Sequence, residues 1–383
     1  MKILVVTQIF PPRRGGSGQW LWELYRRLPN FDVHVVAGRA DGDVAFDRSA
    51  GLPISRIPLE FASWGVWDLR GAPDYAAAWY RLRAIASRFR PDVVHCGKCL
   101  PEGLLATWMH RWGGVPFIVY VHGEELTLAA LSRELQRLTR IVLKRATRVV
   151  ANSRHTRQLL VESWAVPTEK IVVMHPGVDT TRFVPAAPSV DVRKRLGWSD
   201  RRVILTVGAL QKRKGQDTLI RALPAIRARC ADVLYSIAGE GWERSRLEDL
   251  ARNCGVADCV QFRGVPGDGE LVDCYQQCDV FALPNRQVGW DFEGFGIVLL
   301  EAQSCGKPVI AGLSGGTSET MQASLTGEAI CCDTPEPLGD TIASLLQDPE
   351  RRAVIGSRGR QWMVENFDWS VLTGQAASAF VQP

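Results

Sequence analysis

The chain contains 383 residues, of which 46% are hydrophobic and 23% are charged, and its formal net charge at neutral pH is +5. This length is greater than one hydrophobic core usually supports and predicts two domains, and the composition is typical of a soluble globular protein. The charge is too small to indicate a nucleic-acid-binding protein, so we expect no nucleic-acid partner; it suits an anionic nucleotide or an anionic membrane surface equally well.

The amino-terminal run Met1–Thr7 is short and apolar and has no cleavage-site pattern, which favours a buried strand over a signal peptide. No apolar run in the sequence reaches the roughly 18 residues of a transmembrane helix, so we expect a cytoplasmic protein. The ten cysteines do not have the spacing of a disulfide scaffold or a zinc ribbon. Cys96 and Cys99, preceded by His95, could form a redox pair or half of a metal site, but buried thiols are the favoured interpretation.

Apolar runs alternate with amphipathic stretches through the first half of the chain, which predicts βαβ units with a parallel sheet. Strands are predicted at residues 2–7, 32–37, 54–57, 92–95, 117–121, 148–151 and 170–173, and helices at about 17–29, 73–89, 102–111, 126–146 and 154–163.

The loop after the first strand is rich in glycine and contains Gly15 and Gly16. Glycines allow the backbone to approach a phosphate, and the dipole of the following helix favours negative charge. The loop lacks the Gly-x-Gly-x-x-Gly fingerprint of dinucleotide-binding proteins, so by itself it indicates ligand contact only weakly. Further on, Asp41 and Asp43 mimic a metal-binding Asp-x-Asp, but we expect them in an irregular polar loop.

His122 follows the predicted strand 117–121 and is followed by Glu124 and Glu125. A lone histidine is more often structural than catalytic, but its place at the carboxyl end of a strand favours a functional role. Glu124 is an acceptor-contacting or structural candidate.

The helix predicted next carries a basic stripe and an apolar stripe between residues 131 and 148. Such a helix can bind anionic lipid headgroups, although packing on the sheet explains the pattern equally simply and is preferred. Tryptophans of the first domain could line an acceptor groove or a membrane interface; they include Trp64, Trp67, Trp79, Trp108 and Trp112.

A stretch rich in proline and alanine, Val184–Ser189, is typical of a linker, and a second α/β series follows it. Its strands are predicted at 202–207, 233–238, 259–263, 279–282, 308–311 and 328–331. We therefore predict a first domain over residues 1–182, a second over 183–365 and a terminal helix over 366–383. Because ligands of open α/β sheets bind beyond the carboxyl ends of the strands, we expect a cleft between two such domains to hold the site.

The first strand of the second series leads into three cations, Lys212, Arg213 and Lys214. Three cations before a helix are normally a solvated turn, but at a strand's carboxyl end they can stabilise the charge of a leaving diphosphate. Two further strand ends, at Gly239–Gly241 and at Arg263–Val265, are ligand-contacting turns or simple connections with about equal weight.

The most informative segment contains two carboxylates eight positions apart, Glu293 and Glu301. Gly294 and Gly296 disfavour helix, so Glu293 should lie in a loop and Glu301 in the helix that follows. Carboxylates accept hydrogen bonds from vicinal hydroxyls, and a helix start beside them favours phosphate, which describes a nucleotide sugar. A glycine-rich turn, Ser314–Gly316, is expected to open another helix and to present N–H groups to an anion.

The stretch from 293 to 320 resembles the signature of glycosyltransferase family 4, retaining enzymes of GT-B fold, and the resemblance extends over nearly the whole chain. It implies that Glu293 and Glu301 hold the donor sugar and the ribose, that His122 lies beside the transferred sugar, and that Lys214 contacts the phosphates. The other implied donor-binding residues are Gly15, Gly16, Arg213, Arg263, Val265, Gly294, Phe295, Gly296 and Ile297. It also implies that the terminal helix crosses back to the first domain.

One position departs from the family pattern. The family's Arg-x4-Lys pair corresponds to Ala209 and Lys214, so the lysine is kept and the arginine is not. Lys212 or Arg213 is a candidate for the second positive charge. Lys214 and backbone dipoles can replace Mg²⁺, so we expect no metal and no cofactor.

The function expected from these observations is hexose transfer from a nucleotide sugar to a lipid or glycan acceptor, with possible peripheral contact at the inner face of the membrane. Within the family, the sequence most resembles the phosphatidylinositol mannoside mannosyltransferases, which use GDP-mannose. Alternatives are a UDP-sugar-dependent transferase, a nucleotide-sugar hydrolase or epimerase, an inactive sugar-nucleotide sensor, and a nicotinamide-dependent oxidoreductase, which the missing fingerprint disfavours.

Overall fold

The computed structural model describes residues 1–67 and 71–381. These residues form two compact units. The first contains Met1–Pro176 and the terminal segment that begins at Trp369, and the second contains Gly177–Asp368. The divisions predicted from the sequence were at 182/183 and 365/366.

The first unit contains a sheet of seven parallel strands. In chain order they are β1 (Lys2–Thr7), β2 (Asp32–Gly38), β3 (Ile54–Ile57), β4 (Val93–Cys96), β5 (Phe117–Val121), β6 (Arg148–Ala151) and β7 (Ile171–Val173). Their order across the sheet is β3-β2-β1-β4-β5-β6-β7, so the direction of winding reverses between β1 and β4. Ligands of open α/β sheets bind at the carboxyl ends of strands beside such a reversal.

Helices cover this sheet as βαβ connections require. They are α1 (Gly16–Tyr25), α2 (Asp43–Ser49), α3 (Ala72–Phe89), α4 (Leu104–Gly113), α5 (Glu124–Ala130), α6 (Arg133–Arg145) and α7 (Arg154–Glu162). The single helix predicted at 126–146 is in fact two, because Ser132 is extended and its hydroxyl accepts the N–H of Leu135 as the cap of α6. The prediction of an irregular loop around Asp43 was also wrong, since this residue begins α2.

The second unit contains a six-stranded parallel sheet. Its strands are β8 (Arg202–Val207), β9 (Val233–Ala238), β10 (Val260–Gly264), β11 (Val280–Leu283), β12 (Val309–Gly312) and β13 (Gly327–Ile330). The order across the sheet is β10-β9-β8-β11-β12-β13, with the reversal between β8 and β11. The α/β prediction is confirmed, and in both units the predicted strands agree with the structure to within one residue at each end.

The helices of the second unit are α8 (Val190–Arg195), α9 (Gln216–Arg229), α10 (Arg244–Asn253), α11 (Asp268–Gln277), α12 (Ile297–Ser304), α13 (Pro335–Gln347) and α14 (Pro349–Asn366). The stretch 184–189, interpreted as a linker, lies wholly inside this unit. The carbonyls of Val184 and Ala187 accept hydrogen bonds from the side chains of Gln276 and Gln277 at 2.9 and 3.2 Å.

The terminal helix α15 (Trp369–Val381) belongs to the first unit. Trp369, Leu372 and Ala376 are buried in the same apolar cluster as Trp20. The Nη1 of Arg148 in β6 donates a hydrogen bond to the carbonyl of Ala379 at 3.0 Å. Apolar burial and this bond together hold the end of the chain on the first sheet.

Within the described part of the chain, no helix is both long enough and apolar enough to cross a bilayer. All ten cysteines are described and none is in a disulfide; eight of them are buried, including Cys96 and Cys99. Burial raises the pKa of these two thiols well above the usual value, so they are neutral buried groups, as the sequence analysis favoured.

Candidate functional site

Glu293 lies in the loop between β11 and α12, and Glu301 lies inside α12. The loop ends at Gly296, which has a φ of +91° just before the helix begins. L-residues with a side chain rarely adopt this conformation. The glycine thus makes the break between loop and helix, as predicted, and the break gives the two carboxylates different surroundings.

The carboxylate of Glu293 is ion-paired with two cations from the turn after β8. Its Oε2 lies 2.5 Å from the Nζ of Lys214 and 2.8 Å from the Nη1 of Arg213. The side chains of Glu293 and Lys214 are each 11% exposed. Since β8 pairs directly with β11, the loops that follow these two strands are neighbours.

These cations decide the ionisation of Glu293. Burial by itself raises the pKa of the carboxyl group, but the charges of Lys214 and Arg213 outweigh burial and lower the pKa below its usual value. Glu293 is therefore ionised at neutral pH and can only accept hydrogen bonds.

The glycine-rich turn after β12 holds the backbone of Glu293. A Cβ at Gly315, whose φ is +69°, would lie 1.8 Å from the carbonyl oxygen of Glu293. The N–H of Gly316 donates to the same oxygen at 3.1 Å. This N–H is thus used inside the protein, contrary to its expected role toward an anion, and the turn leads into the short 3₁₀ turn Thr317–Thr320 in place of the expected helix.

Among residues 1–67 and 71–381, Glu301 has no ion pair comparable to those of Glu293. Its Oε2 accepts a hydrogen bond from the hydroxyl of Tyr275 on α11 at 2.6 Å. Burial raises the pKa of Glu301 to about 7, although the Tyr275 hydroxyl opposes this rise. Near neutral pH this carboxyl can therefore both donate and accept hydrogen bonds.

The turn that carries Lys212, Arg213 and Lys214 is packed tightly against the end of β11. A Cβ at Gly215, which has a φ of +71°, would lie only 1.7 Å from the carbonyl oxygen of Pro284. No residue other than glycine fits there without moving the backbone. The turn and the Glu293 loop are thereby fixed at the same sheet edge.

Arg286, which the sequence analysis did not single out, connects this turn to α9. Its guanidinium contacts both carboxylate oxygens of Asp217, at 2.8 and 2.9 Å. Its backbone N–H donates to the carbonyl of Arg213 at 2.9 Å. The pKa of Asp217, which burial alone would raise, is lowered by Arg286 and Arg246. One arginine in a loop carries no signal in the sequence pattern that could have revealed this role.

The predicted base contacts lie at the end of β10. The guanidinium of Arg263 donates to the carbonyl of Leu196 at 2.7 Å and is ion-paired with Glu270. Its side chain is 9% exposed, and its hydrogen bonds are made to groups within the second unit. Val265 is 42% exposed, so it and the backbone here are the groups open to a ligand.

Two of the other predicted donor-binding residues, Phe295 and Ile297, have largely apolar surroundings. Phe295 is buried in the core cluster of the second unit, and Ile297 packs against that cluster. Gly294 lies in the loop beside Glu293.

In the first unit, Gly15 and Gly16 are exposed at the amino end of α1. A Cβ at Gly15 would lie 2.9 Å from the flexible side chain of Ile9, whereas a Cβ at Gly18 would lie 2.6 Å from the backbone oxygen of Ile9. Gly18 is therefore required for packing, and Gly15 and Gly16 leave the helix end open.

His122 follows β5 and is buried. Its Nε2 lies 2.8 Å from the carbonyl oxygen of Gly97. Because a carbonyl only accepts, Nε2 carries the proton in the neutral ring. Burial lowers the pKa of His122 despite the opposing charge of Glu125, so the side chain is neutral at pH 7.

Glu125, which the sequence analysis did not single out, holds the backbone of His122. Its Oε1 accepts the N–H of His122 at 2.8 Å. Glu102 similarly accepts the N–H of Gln8 at the end of β1 at 2.7 Å. Burial raises the pKa of Glu102 to about 7. These acids order the loops at the carboxyl ends of β1 and β5.

Two family models match the chain. Residues 14–182 match Glycosyltransferase Family 4, and residues 191–362 match Glycosyl transferases group 1.

Relatives match over almost the full length. A GDP-mannose-dependent alpha-(1-6)-phosphatidylinositol monomannoside mannosyltransferase of Mycobacterium tuberculosis is 35% identical, covering 98% of this chain and 97% of the relative. A GDP-mannose-dependent monoacylated alpha-(1-6)-phosphatidylinositol monomannoside mannosyltransferase of Corynebacterium glutamicum is 31% identical, covering 97% and 95%.

Solved structures are similar at lower identity. Anabaena HepE in complex with UDP-glucose has a TM-score of 0.83 at 21% identity, covering 99% of both chains. Sucrose-phosphate synthase from Thermosynechococcus elongatus has a TM-score of 0.81 at 19% identity, covering 99% of this chain and 98% of the other. At these identities the likeness shows the fold alone.

Proposed function

Since this chain belongs to glycosyltransferase family 4 and is a hexosyltransferase of GT-B fold, we propose that it transfers mannose from GDP-mannose to the headgroup of a phosphatidylinositol mannoside lipid. The donor and the acceptor class are those in the names of the mycobacterial and corynebacterial relatives. The observation that carries the proposal is the buried cluster of Glu293 with Lys214 and Arg213 at the carboxyl ends of β8 and β11.

In the proposed reaction, Glu293 accepts hydrogen bonds from hydroxyls of the donor sugar, and Lys214 neutralises the charge that grows on the diphosphate as it leaves. Glu301 contacts the ribose. The sugar–phosphate bond breaks, the bond from the sugar C1 to the acceptor oxygen forms on the same face, and the acceptor hydroxyl proton passes to the diphosphate. His122, neutral and at the end of β5, is the further catalytic candidate.

Turnover by the purified protein with defined donors and a phosphatidylinositol mannoside lipid in detergent tests this function. We expect mannosylated lipid and GDP in equal amounts when GDP-mannose and the lipid are both present. Donor consumption without lipid indicates the hydrolase or epimerase alternative. Turnover with UDP-glucose but not with GDP-mannose would show that the donor is a UDP-sugar. The increase in melting temperature that each nucleotide sugar causes gives an independent measure of donor preference.

We also propose that no metal is needed, because Lys214 and Arg213 supply positive charge close to Glu293. The rate of GDP release should be the same in EDTA as in Mg²⁺. A rate that falls to background in EDTA and recovers when Mg²⁺ is added contradicts this part of the proposal.

The acceptor is a lipid in this proposal, and the first unit has a surface suited to a membrane interface. An apolar groove of about 260 Å³ is lined by aromatic and small side chains: Val66, Ala72, Tyr75, Ala76, Trp79, Trp108 and Trp112. Trp112 is 67% exposed and the neighbouring Trp67 is 62% exposed. Tryptophan is favoured where one end of a side chain is apolar and the other is wet.

A helix with exposed basic residues begins beside this groove. Glu134 at the start of α6 accepts the N–H of Trp67 at 2.6 Å, so α6 begins beside the tryptophan loop. The apolar stripe of α6 packs on the sheet through Leu138 and Val142, as the sequence analysis preferred. Its cations Arg133, Arg137, Arg140 and Lys144 remain exposed. We propose that this surface contacts anionic lipid while the enzyme reaches its acceptor.

Sedimentation with vesicles tests the contact. Trp112→Ser and Trp79→Ser should each weaken binding to vesicles that contain phosphatidylinositol, and added salt should weaken it further. Trp242→Ser is the matched control, because Trp242 is 76% exposed in the second unit. Equal binding by all three variants contradicts the assignment of this surface.

A further inference from the structure

We propose that Arg213 is a positioning residue, which stays on Glu293 when a nucleotide sugar binds and so allows Lys214 to leave that carboxylate for the diphosphate. The inference rests on the proposed function, because it takes the second unit as the donor-binding unit. It assigns different tasks to two neighbouring cations that share one oxygen in this structure.

The two cations are held very differently. Besides its bond to Glu293, Arg213 contacts Asp291 through Nε at 3.2 Å and the carbonyl of Phe292 through Nη1 at 3.4 Å. Its own carbonyl accepts the N–H of Arg286. Arg213 is therefore fixed by side-chain and backbone contacts, and Arg286 is in turn fixed on α9 by Asp217.

Lys214 has far fewer contacts. Its ammonium group has three donors, and Glu293 is its single ion-pair or hydrogen-bond partner among residues 1–67 and 71–381. Its side chain runs over Gly208 at the end of β8, with Cε 3.7 Å from where a Cβ of that glycine would be. A flexible side chain over a bare backbone can turn without a clash, whereas the guanidinium of Arg213 cannot leave without breaking several bonds.

The fixed arginine is needed because Glu293 is buried. If Lys214 moved to the diphosphate and no other cation remained, burial would act on the carboxylate unopposed and favour its protonation. A protonated Glu293 accepts hydrogen bonds from sugar hydroxyls more weakly than the carboxylate does. Since position 209 is alanine in this chain, Lys214 has no arginine there to share the diphosphate with.

The charged groups that act on Glu293 come from two loops. Lys214 and Arg213 approach from the turn after β8, and Asp291 lies on the loop of Glu293 itself and contacts Arg213. Asp217 and Arg286 neutralise one another behind Arg213. Removal of Arg213 therefore leaves Lys214 as the remaining cation that lowers the pKa of Glu293.

Calorimetry with GDP on single and double variants tests the division of tasks. In Arg213→Gln, Lys214 is retained by Glu293, so GDP affinity should fall about tenfold. In the double variant Arg213→Gln/Glu293→Gln, the amide needs no cation, Lys214 is free, and GDP affinity should return to that of the wild type. Arg227→Gln, which removes a surface ion pair with Asp258, is the control and should bind GDP normally.

Double-variant affinity as low as that of Arg213→Gln would mean that Arg213 touches the diphosphate directly and would overturn the inference. Unchanged affinity in Arg213→Gln would overturn it too. If the wild type binds neither GDP nor GDP-mannose, the proposed donor itself is wrong, and this inference falls with it.

The pH profile of kcat/KM is a second test of the role of Arg213. The acidic limb should move to higher pH in Arg213→Gln and return toward the wild-type position in Arg213→Lys, because a cation beside Glu293 is restored. A uniform loss of rate at every pH, with the limb unmoved, would indicate a merely structural role and contradict the proposal.

Discussion

Glu293 and Glu301 are eight residues apart in one unit, yet their pKa values are shifted in opposite directions. Glu293 lies in a loop, is paired with two cations, and has a lowered pKa. Glu301 lies in a helix, faces a tyrosine hydroxyl, and has a pKa of about 7. Glu293 is buried and Glu301 is partly buried, and burial acts to raise the pKa of both carboxyl groups, so the opposite shifts come from their partners.

The comparison shows how one residue type can serve two ligand contacts. A carboxylate that is always ionised accepts hydrogen bonds. It tolerates a nearby anionic leaving group only if cations stay beside it. A carboxyl group that titrates near neutrality can exchange donor and acceptor roles with a diol. This agrees with the proposed division, in which Glu293 serves the reacting sugar and Glu301 serves the ribose.

The largest expected effect is at the ion pair of Glu293 and Lys214. Glu293→Gln and Lys214→Ala should each lower kcat by about 10²- to 10³-fold. The first removes the carboxylate that orients the reacting sugar, and the second removes the cation that stabilises the charge growing on the diphosphate. Steady-state kinetics with GDP-mannose measures the loss, and circular dichroism confirms that the variants fold. Glu350→Gln, at an exposed position in α14, is the control. Wild-type rates in both site variants would reject the site.

A smaller effect is expected at Glu301. Glu301→Gln should raise KM for the donor about tenfold with kcat little changed, because the ribose is remote from the breaking bond and one neutral hydrogen bond contributes about 1 kcal/mol. A fall in kcat as large as that of Glu293→Gln would show that the two carboxylates do not differ in task.

A third effect, on the pH dependence of stability, has opposite signs at the two sites. The pKa of Glu301 in the folded protein is about 7, above its usual value of 4.5, so its ionisation opposes folding as pH rises through this window. Urea unfolding should show that the wild type loses stability between pH 5 and pH 8 relative to Glu301→Gln, by about 3 kcal/mol at most. Glu102 contributes in the same direction but is present in both proteins, so it cancels.

For Glu293 the pKa is lowered, so its contribution to stability is present above the usual carboxyl pKa and is lost as pH falls through the lowered value. The stability difference between wild type and Glu293→Gln should therefore shrink in acid. Parallel pH curves for the two variants would contradict the electrostatic contrast between the sites.

Much of the fold and the outline of the site could be predicted from local patterns. Each strand is a short apolar run bounded by turn residues, and the loop-to-helix break at Gly296 follows from glycine's conformational freedom. Helix boundaries were predicted less well where a polar residue inside an amphipathic pattern acts as a cap. Ser132 does so, and its hydroxyl divides one expected helix into α5 and α6.

The partners of the site residues could not be predicted in this way. The sequence alone left Lys212 and Arg213 as equal candidates for the second charge, and the structure brings Arg213 to Glu293, 80 positions away. The structure also gives Glu125, for which the sequence suggested no role, a contact with the N–H of His122.

The sequence by itself determined the two α/β series, the strand positions and the pair of carboxylates separated by a glycine break, since these depend on residues close together in the chain. Only the tertiary structure decided which charges meet. The order of strands places β8 beside β11 and thereby brings Lys214 and Arg213 to Glu293, and the packing of α11 against α12 brings Tyr275 to Glu301. Ionisation depends on distance in space, and distance in space is set by strand order and helix packing.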